Sequence, residues 1–283
     1  MMNTKPIVSI CCNTYNHAKY IKDAIDGFLM QKTFFPYEII IHDDASTDGT
    51  RQIIKEYAER NPELIYPIFQ TENQYSKKQK SISARFVWPH VRGKYIALCE
   101  GDDYWTDPHK LQKQVDFLEV HPEYSLSFHA VEDFNMDTGK TGVLRYKCKN
   151  GFRTFNVNNA ILIGGALLAT NSMVFRSEFI RSIPEWYDNA PAGDFALTLI
   201  LSSRGRIAYF DDVMSVYRRG VPGSWTNRMK NRNNMRTLHK NTDKMLLSFN
   251  RYTLYKYFIP IMIKILKNRL DLFLYNLRIV FGK

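Results

Sequence analysis

Four short stretches hold the residues that could do chemistry, and three of them stand where an apolar run stops. Glu100-Gly101-Asp102-Asp103 places three carboxylates in four positions. Carboxylates this close repel one another, so a cation among them would lower their energy. Mg2+ and Mn2+ take oxygen ligands and leave positions for the oxygens of a diphosphate. Gly101 lets the backbone turn closely beneath a ligand. The other reading of these residues is a solvated acidic turn ahead of a helix after Pro108. Asp43-Asp44 can accept from the N–H of a base or from a ribose hydroxyl, or it can cap the next helix, as Ser46 or Asp48 could. Thr14-Tyr15-Asn16 is a polar turn of ordinary composition. Ala192-Gly193-Asp194 precedes a long apolar stretch, where local sequence makes Asp194 an N-cap.

These residues need elements to hold them. Residues 7–12, 37–41, 64–69 and 95–99 read as short strands rich in β-branched side chains. Between them, Ile21, Ala24, Ile25, Phe28 and Leu29 recur at helical spacing, as do Ile53, Ile54, Tyr57 and Ala58. Residues 82–91 read as a further helix, and the polar, lysine-rich residues 71–81 as a mobile loop. Strands with little polar alternation, separated by helices, predict an α/β fold with a mainly parallel sheet covered on both faces. Ligands bind beyond the carboxyl ends of such strands, and the first three stretches stand there. Farther on, a helix with Leu111, Val115 and Leu118 leads to strand-like runs at 124–133 and 172–175. Gly139, Gly142 and Gly151 mark hairpins or loops, a buried helix starts at Asp194, and 207–210 and 213–217 read as two short strands. From about 226 the chain is helical.

The chain has 283 residues, 45% hydrophobic and 14% aromatic, which supplies a real core and excludes a disordered protein. Cys11, Cys12, Cys99 and Cys148 include no CxxC pair, so free thiols in a reducing compartment are expected rather than a disulfide framework or a zinc site. The N-terminus turns polar too early for a signal peptide. The net charge of +11 is uneven: residues 204–283 hold 17 Lys/Arg against 4 Asp/Glu, and residues 1–203 hold 22 against 24. The basic tail would attract nucleic acid or an acidic membrane face.

The order VSICCNTYN, EIIIHDDASTDGT, GKYIALCEGDD resembles the inverting glycosyltransferases of family two, with the fold called GT-A. The resemblance is dense over 6–110 and returns in patches to about 220. It implies a GT-A, Rossmann-like mixed sheet with helices on both faces. A catalytic domain would span 1–225, with a nucleotide-sugar part to about 110 and an acceptor part beyond. A basic, helical extension would follow over 226–283. By similarity, Thr14 and Tyr15, with Asn16 in the same turn, and Asp43 or Asp44 surround the nucleotide. Asp102, backed by Asp103, holds Mn2+ or Mg2+, and Glu100 lies near the ribose or a metal-bound water. Asp194 becomes the catalytic base. Arg85 stands where relatives carry Asn, and a donor contact is open to it. The family's Tyr-Arg followed by His is matched only as Tyr217-Arg218-Arg219, with no His through Asn227, which leaves Arg218 or Arg219 to steady the diphosphate.

The expected function is transfer of a sugar, with inversion, from a nucleotide-diphosphate sugar, a UDP-sugar first among them. The acceptor hydroxyl would belong to a saccharide or lipid-linked saccharide in bacterial envelope or surface polysaccharide synthesis. A dehydrogenase is disfavoured because no GxGxxG follows the first strand. A nucleotidyltransferase lacks its Gly/Arg/Lys-rich first turn but remains the alternative, together with an inactive scaffold of the same fold. Nucleic acid is disfavoured as a partner, since only the tail argues for it. The loops at 71–82 and 134–165 would set specificity, and Trp225, Tyr252 and Tyr255 could touch an acceptor or pack internally. The tail predicts a cytoplasmic enzyme resting on the inner membrane face, or a helical pair packed on the body or on a second copy of the chain. Its apolar clusters are too short to span a bilayer.

Overall fold

The computed structural model describes residues 5–77, 79, 81–224, 227 and 232–280, without the side chains of 232, 233 and 275–280. Four strands begin the sheet: β1 (Val8–Thr14), β2 (Tyr37–Asp43), β3 (Ile65–Phe69) and β4 (Tyr95–Leu98). They lie parallel in the order β3-β2-β1-β4. The helices α1 (Ile21–Leu29) and α2 (Thr50–Arg60) connect them. Alternate residues of these strands enter opposite cores. Ile10, Cys12, Ile39 and Ile41 pack with Ile25, Phe28 and Ile54 on one face, while Cys11, Ile40, Ile96 and Leu98 join the other. Burial on both faces accounts for the largely apolar runs in the sequence, where the buried Ser9 and Glu38 bond to each other.

The sheet continues through the second half of the chain. It adds β5 (Tyr104–Trp105), β6 (Tyr124–Asn135), β7 (Lys140–Leu144), β8 (Phe152–Phe155), β9 (Val174–Arg176) and β10 (Arg206–Arg219). Beyond β4 the order is β9-β6-β10-β5, with β9 and β5 antiparallel to their neighbours and β10 parallel to β6. One mixed sheet therefore runs through both halves of the chain up to Arg219. The α3 helix (Lys110–Val120) covers one face, and α4 (Val157–Ile163) and α5 (Gly193–Arg204) cover the other.

Three expectations change. The two short strands at 207–210 and 213–217 are one strand, β10, whose register with β6 shifts between Phe210 and Val213. That irregularity lets its first half pair with β8 and its second half with β5. The helix expected over 82–91 is a π turn, Ser83–Val87, followed by a 3-10 turn, Trp88–His90. Pro89, which has no N–H to donate, suits the short form. Within 71–81, a turn is tied down: the Gln74 and Tyr75 amides donate to the Asp44 carboxylate at 2.7 and 3.0 Å. Lys78 and Lys80 lie outside the described residues.

The tail forms α6 (Arg232–Tyr252) and α7 (Phe258–Val280), joined by an elbow. Met245, Leu246 and Phe249 of α6, with Ile261 and Ile265 of α7, enter the same core as Leu197 and Ile200 of α5. Tyr252 stacks edge-on against Trp186 and its hydroxyl accepts from Arg204, so it is a packing residue. Tyr255 is 61% exposed, and Trp225 lies outside the described residues. Among the described residues, no helix is long and apolar enough to cross a membrane.

Candidate active site

Strand pairing brings the three polar stretches together. Thr14 stands beside Asp43 in the β1–β2 register, and Cys11 beside Leu98 in the β1–β4 register. Backbone bonds then lace the ends: the Asp44 amide donates to the Thr14 carbonyl at 3.0 Å, and the Gly101 amide to the Asn13 carbonyl at 2.9 Å. Gly101 is needed here for close approach. A Cβ at this position would lie 2.6 Å from Thr14 Oγ1 and 2.8 Å from Thr14 Cβ.

The two turns above β1 and β2 hold each other. Asn16, with a left-handed φ of 55°, donates its amide to Ser46 Oγ, and its side-chain oxygen accepts from the Thr47 amide, both at 2.8 Å. Asp48 accepts from the Ala18 amide at 3.0 Å and from the Thr50 hydroxyl at 2.6 Å. Asp43 is fully buried and accepts from the Ser46 amide and hydroxyl. Asp44 spends both carboxylate oxygens on the 74–75 turn. Of the expected nucleotide-binding set, Asn16 and Asp44 thus hold the loops. Tyr15 is 44% exposed at the rim, and Thr14 Oγ1 is buried without a hydrogen-bond partner.

The acidic turn lies at the centre. Burial, then the charges of Asp102 and Asp194, push the Glu100 carboxyl up to about 8, against hydrogen bonds from Asn13. Asp103 is buried, and its Oδ1 accepts from the Arg218 amide at 2.8 Å. Burial and the Asp102 charge raise it well above the usual carboxylate range, with that amide pulling the other way. Asp103 is thus held against the end of β10 through one of its two carboxylate oxygens. Asp102 retains some side-chain accessibility, with His17 Nε2 3.9 Å from its Oδ2. Burial lowers the His17 pKa, and the charges of Asp102, Asp48 and Asp43 oppose the shift.

Among the described residues, no three His, Cys, Asp or Glu side chains form a metal cage. An ion that shares its ligands with a diphosphate needs fewer protein oxygens. The residues fit that case: Asp102 supplies a carboxylate, and Asn13 Oδ1 and Thr14 Oγ1 lie buried without partners beside the turn. These orphans are the polar groups a bound ligand would be expected to satisfy.

The two arginines at the end of β10 make protein contacts. Arg218 Nη1 donates to the Asp102 carbonyl at 3.0 Å, Nη2 pairs with Asp23, and the guanidinium lies 4.3 Å from the centre of the Tyr104 ring. Arg219 pairs with Asp133 through two nitrogens. These contacts hold the turn and the strand. Arg85 is different. It is exposed on the π turn, two residues after Ser83, whose hydroxyl accepts from Asn13 Nδ2 at 2.9 Å.

Asp194 lies 94 positions beyond Glu100 in sequence, yet its charge acts on that carboxyl. It lies in the first turn of α5, with Ala192 as N-cap, and its Oδ1 accepts from the Phe195 amide at 2.7 Å. Burial raises its pKa against that hydrogen bond, and its charge is felt at Glu100. A carboxylate with raised proton affinity beside an acidic turn suits a general base. The sequence reading missed Asn13, His17, Ser83 and Tyr187. Asn13 and His17 flank the first turn and were visible by position alone. Ser83 and Tyr187 had no local signal. Tyr187 is buried against Trp88, and the charges of Asp194 and Glu100 help burial raise its hydroxyl pKa.

Comparison with known proteins agrees with this architecture. The solved structure of S. aureus TarS 1-349 in complex with UDP-GlcNAc superposes with a TM-score of 0.60 at 18% identity, covering 86% of this chain and 71% of that one. The fold is the α/β GT-A fold. An uncharacterised protein of Mycobacterium tuberculosis is 41% identical over 224 residues, 77% of this chain and 60% of the relative's length. The chain thus spans about three-fifths of that relative. The Escherichia coli enzyme WfaP, a UDP-Glc:alpha-D-GlcNAc-diphosphoundecaprenol beta-1,3-glucosyltransferase, is 27% identical over 220 residues, 77% of this chain and 79% of WfaP. The model of the family Glycosyl transferase family 2 matches residues 9–181. The chain belongs to glycosyl transferase family 2.

Proposed function

We propose that this chain transfers a sugar, with inversion, from a nucleotide-diphosphate sugar to an acceptor hydroxyl. The observation that carries the reading is that the charge of Asp194 acts on Glu100, whose turn lies at the carboxyl ends of β1, β2 and β4. Asp194 takes the acceptor proton as the hydroxyl oxygen attacks the anomeric carbon. The bond from that carbon to the diphosphate breaks, and its electron pair leaves with the nucleoside diphosphate. One attacking oxygen and no covalent enzyme intermediate give inversion. Tyr15 and Asp43 border the nucleotide, Asp102 anchors the diphosphate end, and Arg85 supplies the exposed cation. Mn2+ or Mg2+ at Asp102 would offset charge on the leaving diphosphate. Holding donor and acceptor in line removes much of the entropic barrier.

A UDP-sugar donor and a lipid-linked saccharide acceptor are the first choices, because the name of WfaP specifies both for that relative. The basic tail supports action at the anionic inner face of the cell membrane, where such acceptors are presented. The test is a panel of nucleotide sugars with manganese, read by binding and by slow donor hydrolysis, with nucleoside triphosphates in parallel. Turnover of a nucleotide sugar is expected. Turnover of a triphosphate alone would make the chain a nucleotidyltransferase, and neither binding nor turnover would make it a scaffold.

A further inference from the structure

The α7 helix is apolar on two opposite faces, and only one is covered. Ile261 and Ile265 enter the core, and Asn268 is buried against Asp243. On the far side, Ile259, Ile263, Leu266, Leu270 and Phe273 are 51–71% exposed. Spacings of four, three, four and three place these five on one stripe of the helix. The elbow before α7 extends the patch. Leu254 is 86% exposed and Tyr255 61%, and both are held in the left-handed backbone region, at φ 51° and 62°. A bulky residue with positive φ is uncommon, and two in succession keep this apolar tip outward. Phe258, 51% exposed, joins the elbow to the stripe.

The charges beside the stripe identify its occupant. On a helical projection, Arg269 lies at one margin and Lys267 at the other, and both are exposed; Arg269 also pairs with Asp243 at 3.5 Å, and the exposed Asp271 lies one turn beyond Lys267, away from the stripe. Lys256 is exposed on the elbow. Packing against a second copy through this stripe would bring cationic margins together, where paired helices usually place opposite charges. An apolar face bordered by Lys and Arg matches the headgroup boundary of an anionic bilayer instead. We propose that the elbow and the outer face of α7 insert into the interfacial layer of an anionic membrane, with Lys256, Lys267 and Arg269 at headgroup level. The inference rests on the membrane placement proposed above and adds apolar insertion to simple electrostatic adsorption.

Sedimentation of the full chain with phosphatidylcholine vesicles, with and without phosphatidylglycerol, tests the inference. The parent is expected to bind the anionic vesicles and to stay partly bound at high salt, because apolar insertion is not screened. The double variant Leu266→Ser with Leu270→Ser should melt as the parent does, since both side chains are exposed. It should partition roughly tenfold or more weakly and leave the vesicles when salt is raised. Equal binding by variant and parent would overturn insertion while leaving electrostatic placement intact. A parent that ignores both vesicle types would overturn both. A parent that is dimeric in solution, beside a monomeric double variant and no vesicle binding by either, would make the stripe an interface between copies.

Discussion

The backbone amide of Arg218 donates to Oδ1 of Asp103 at 2.8 Å, fastening the end of β10 beneath the acidic turn. From the same residue, the guanidinium reaches the Asp102 carbonyl and the Asp23 carboxylate and lies over Tyr104. Arg218 thereby ties the last strand of the sheet to the turn that follows the fourth. The position of Asp102 depends on that tie.

Replacing Asp194 by Asn should preserve donor binding and slow transfer by roughly 10²–10⁴-fold, the usual scale for removing a positioned base. In the parent, transfer should fall as pH drops through the raised Asp194 pKa, because the protonated carboxyl cannot accept the hydroxyl proton. Single-turnover rates at saturating donor across the acidic range check both. Undiminished transfer by the variant would remove Asp194 from the mechanism.

For Asp102→Asn, weaker binding of a nucleoside diphosphate in manganese is expected with an unchanged melting temperature. Chelation of the metal should weaken the parent and leave the variant little affected. Calorimetric titrations with and without chelator supply the comparison. Equal affinities in all four cases would exclude metal-assisted binding at this carboxylate.

Arg85 and Arg218 should separate cleanly. Arg85 is exposed on a turn, so Arg85→Ala should change stability by no more than about 0.5 kcal/mol while weakening diphosphate affinity. Arg218→Ala strips the partner from Asp23 and from the Asp102 carbonyl, and it should lower the denaturation midpoint as well as donor affinity. If Arg85→Ala binds donor like the parent, the exposed cation plays no part in holding it.

Lys110 is fully buried with its ammonium 4.1 Å from the centre of the Trp105 ring and 2.9 Å from Gln114 Oε1. Burial lowers its pKa from 10.5 to about 7, against the charges of Cys99 and Asp107. Between those values the unfolded chain holds a proton that the folded chain lacks, so this residue's contribution to stability rises with pH. It is lost again as pH falls through 7. Measured against Lys110→Met, the parent should gain stability between pH 7 and pH 10. A stability difference independent of pH would show that the ammonium keeps its ordinary affinity for protons.

Much of the fold was legible because burial on both faces leaves a mark in one dimension. The runs at 7–12, 37–41 and 95–99 are apolar but for Ser9 and Glu38, since alternate residues such as Ile39 and Ile40 enter different cores. The convergence of the polar residues at the ends of those runs was legible too, because a parallel sheet collects its strand ends on one rim. Local sequence did not assign Asp194 to that rim, or Arg218 to the Asp103 side of the turn, since each contact joins elements about a hundred residues apart. Nor did it divide the arginines: Arg85, Arg218 and Arg219 are alike as residue types, and only packing pairs two of them with Asp23 and Asp133 and leaves Arg85 exposed. The tail shows the same limit. Its sequence holds apolar and basic residues in helical order, but which apolar face enters the core and which stays bare depends on how α7 lies against α5 and α6. By itself the sequence determined the periodicities, the strand-end chemistry and the charge of the tail, all of which are local. The tertiary structure decided which distant groups share a charge, a hydrogen bond or a core, because those energies depend on distance in space rather than along the chain.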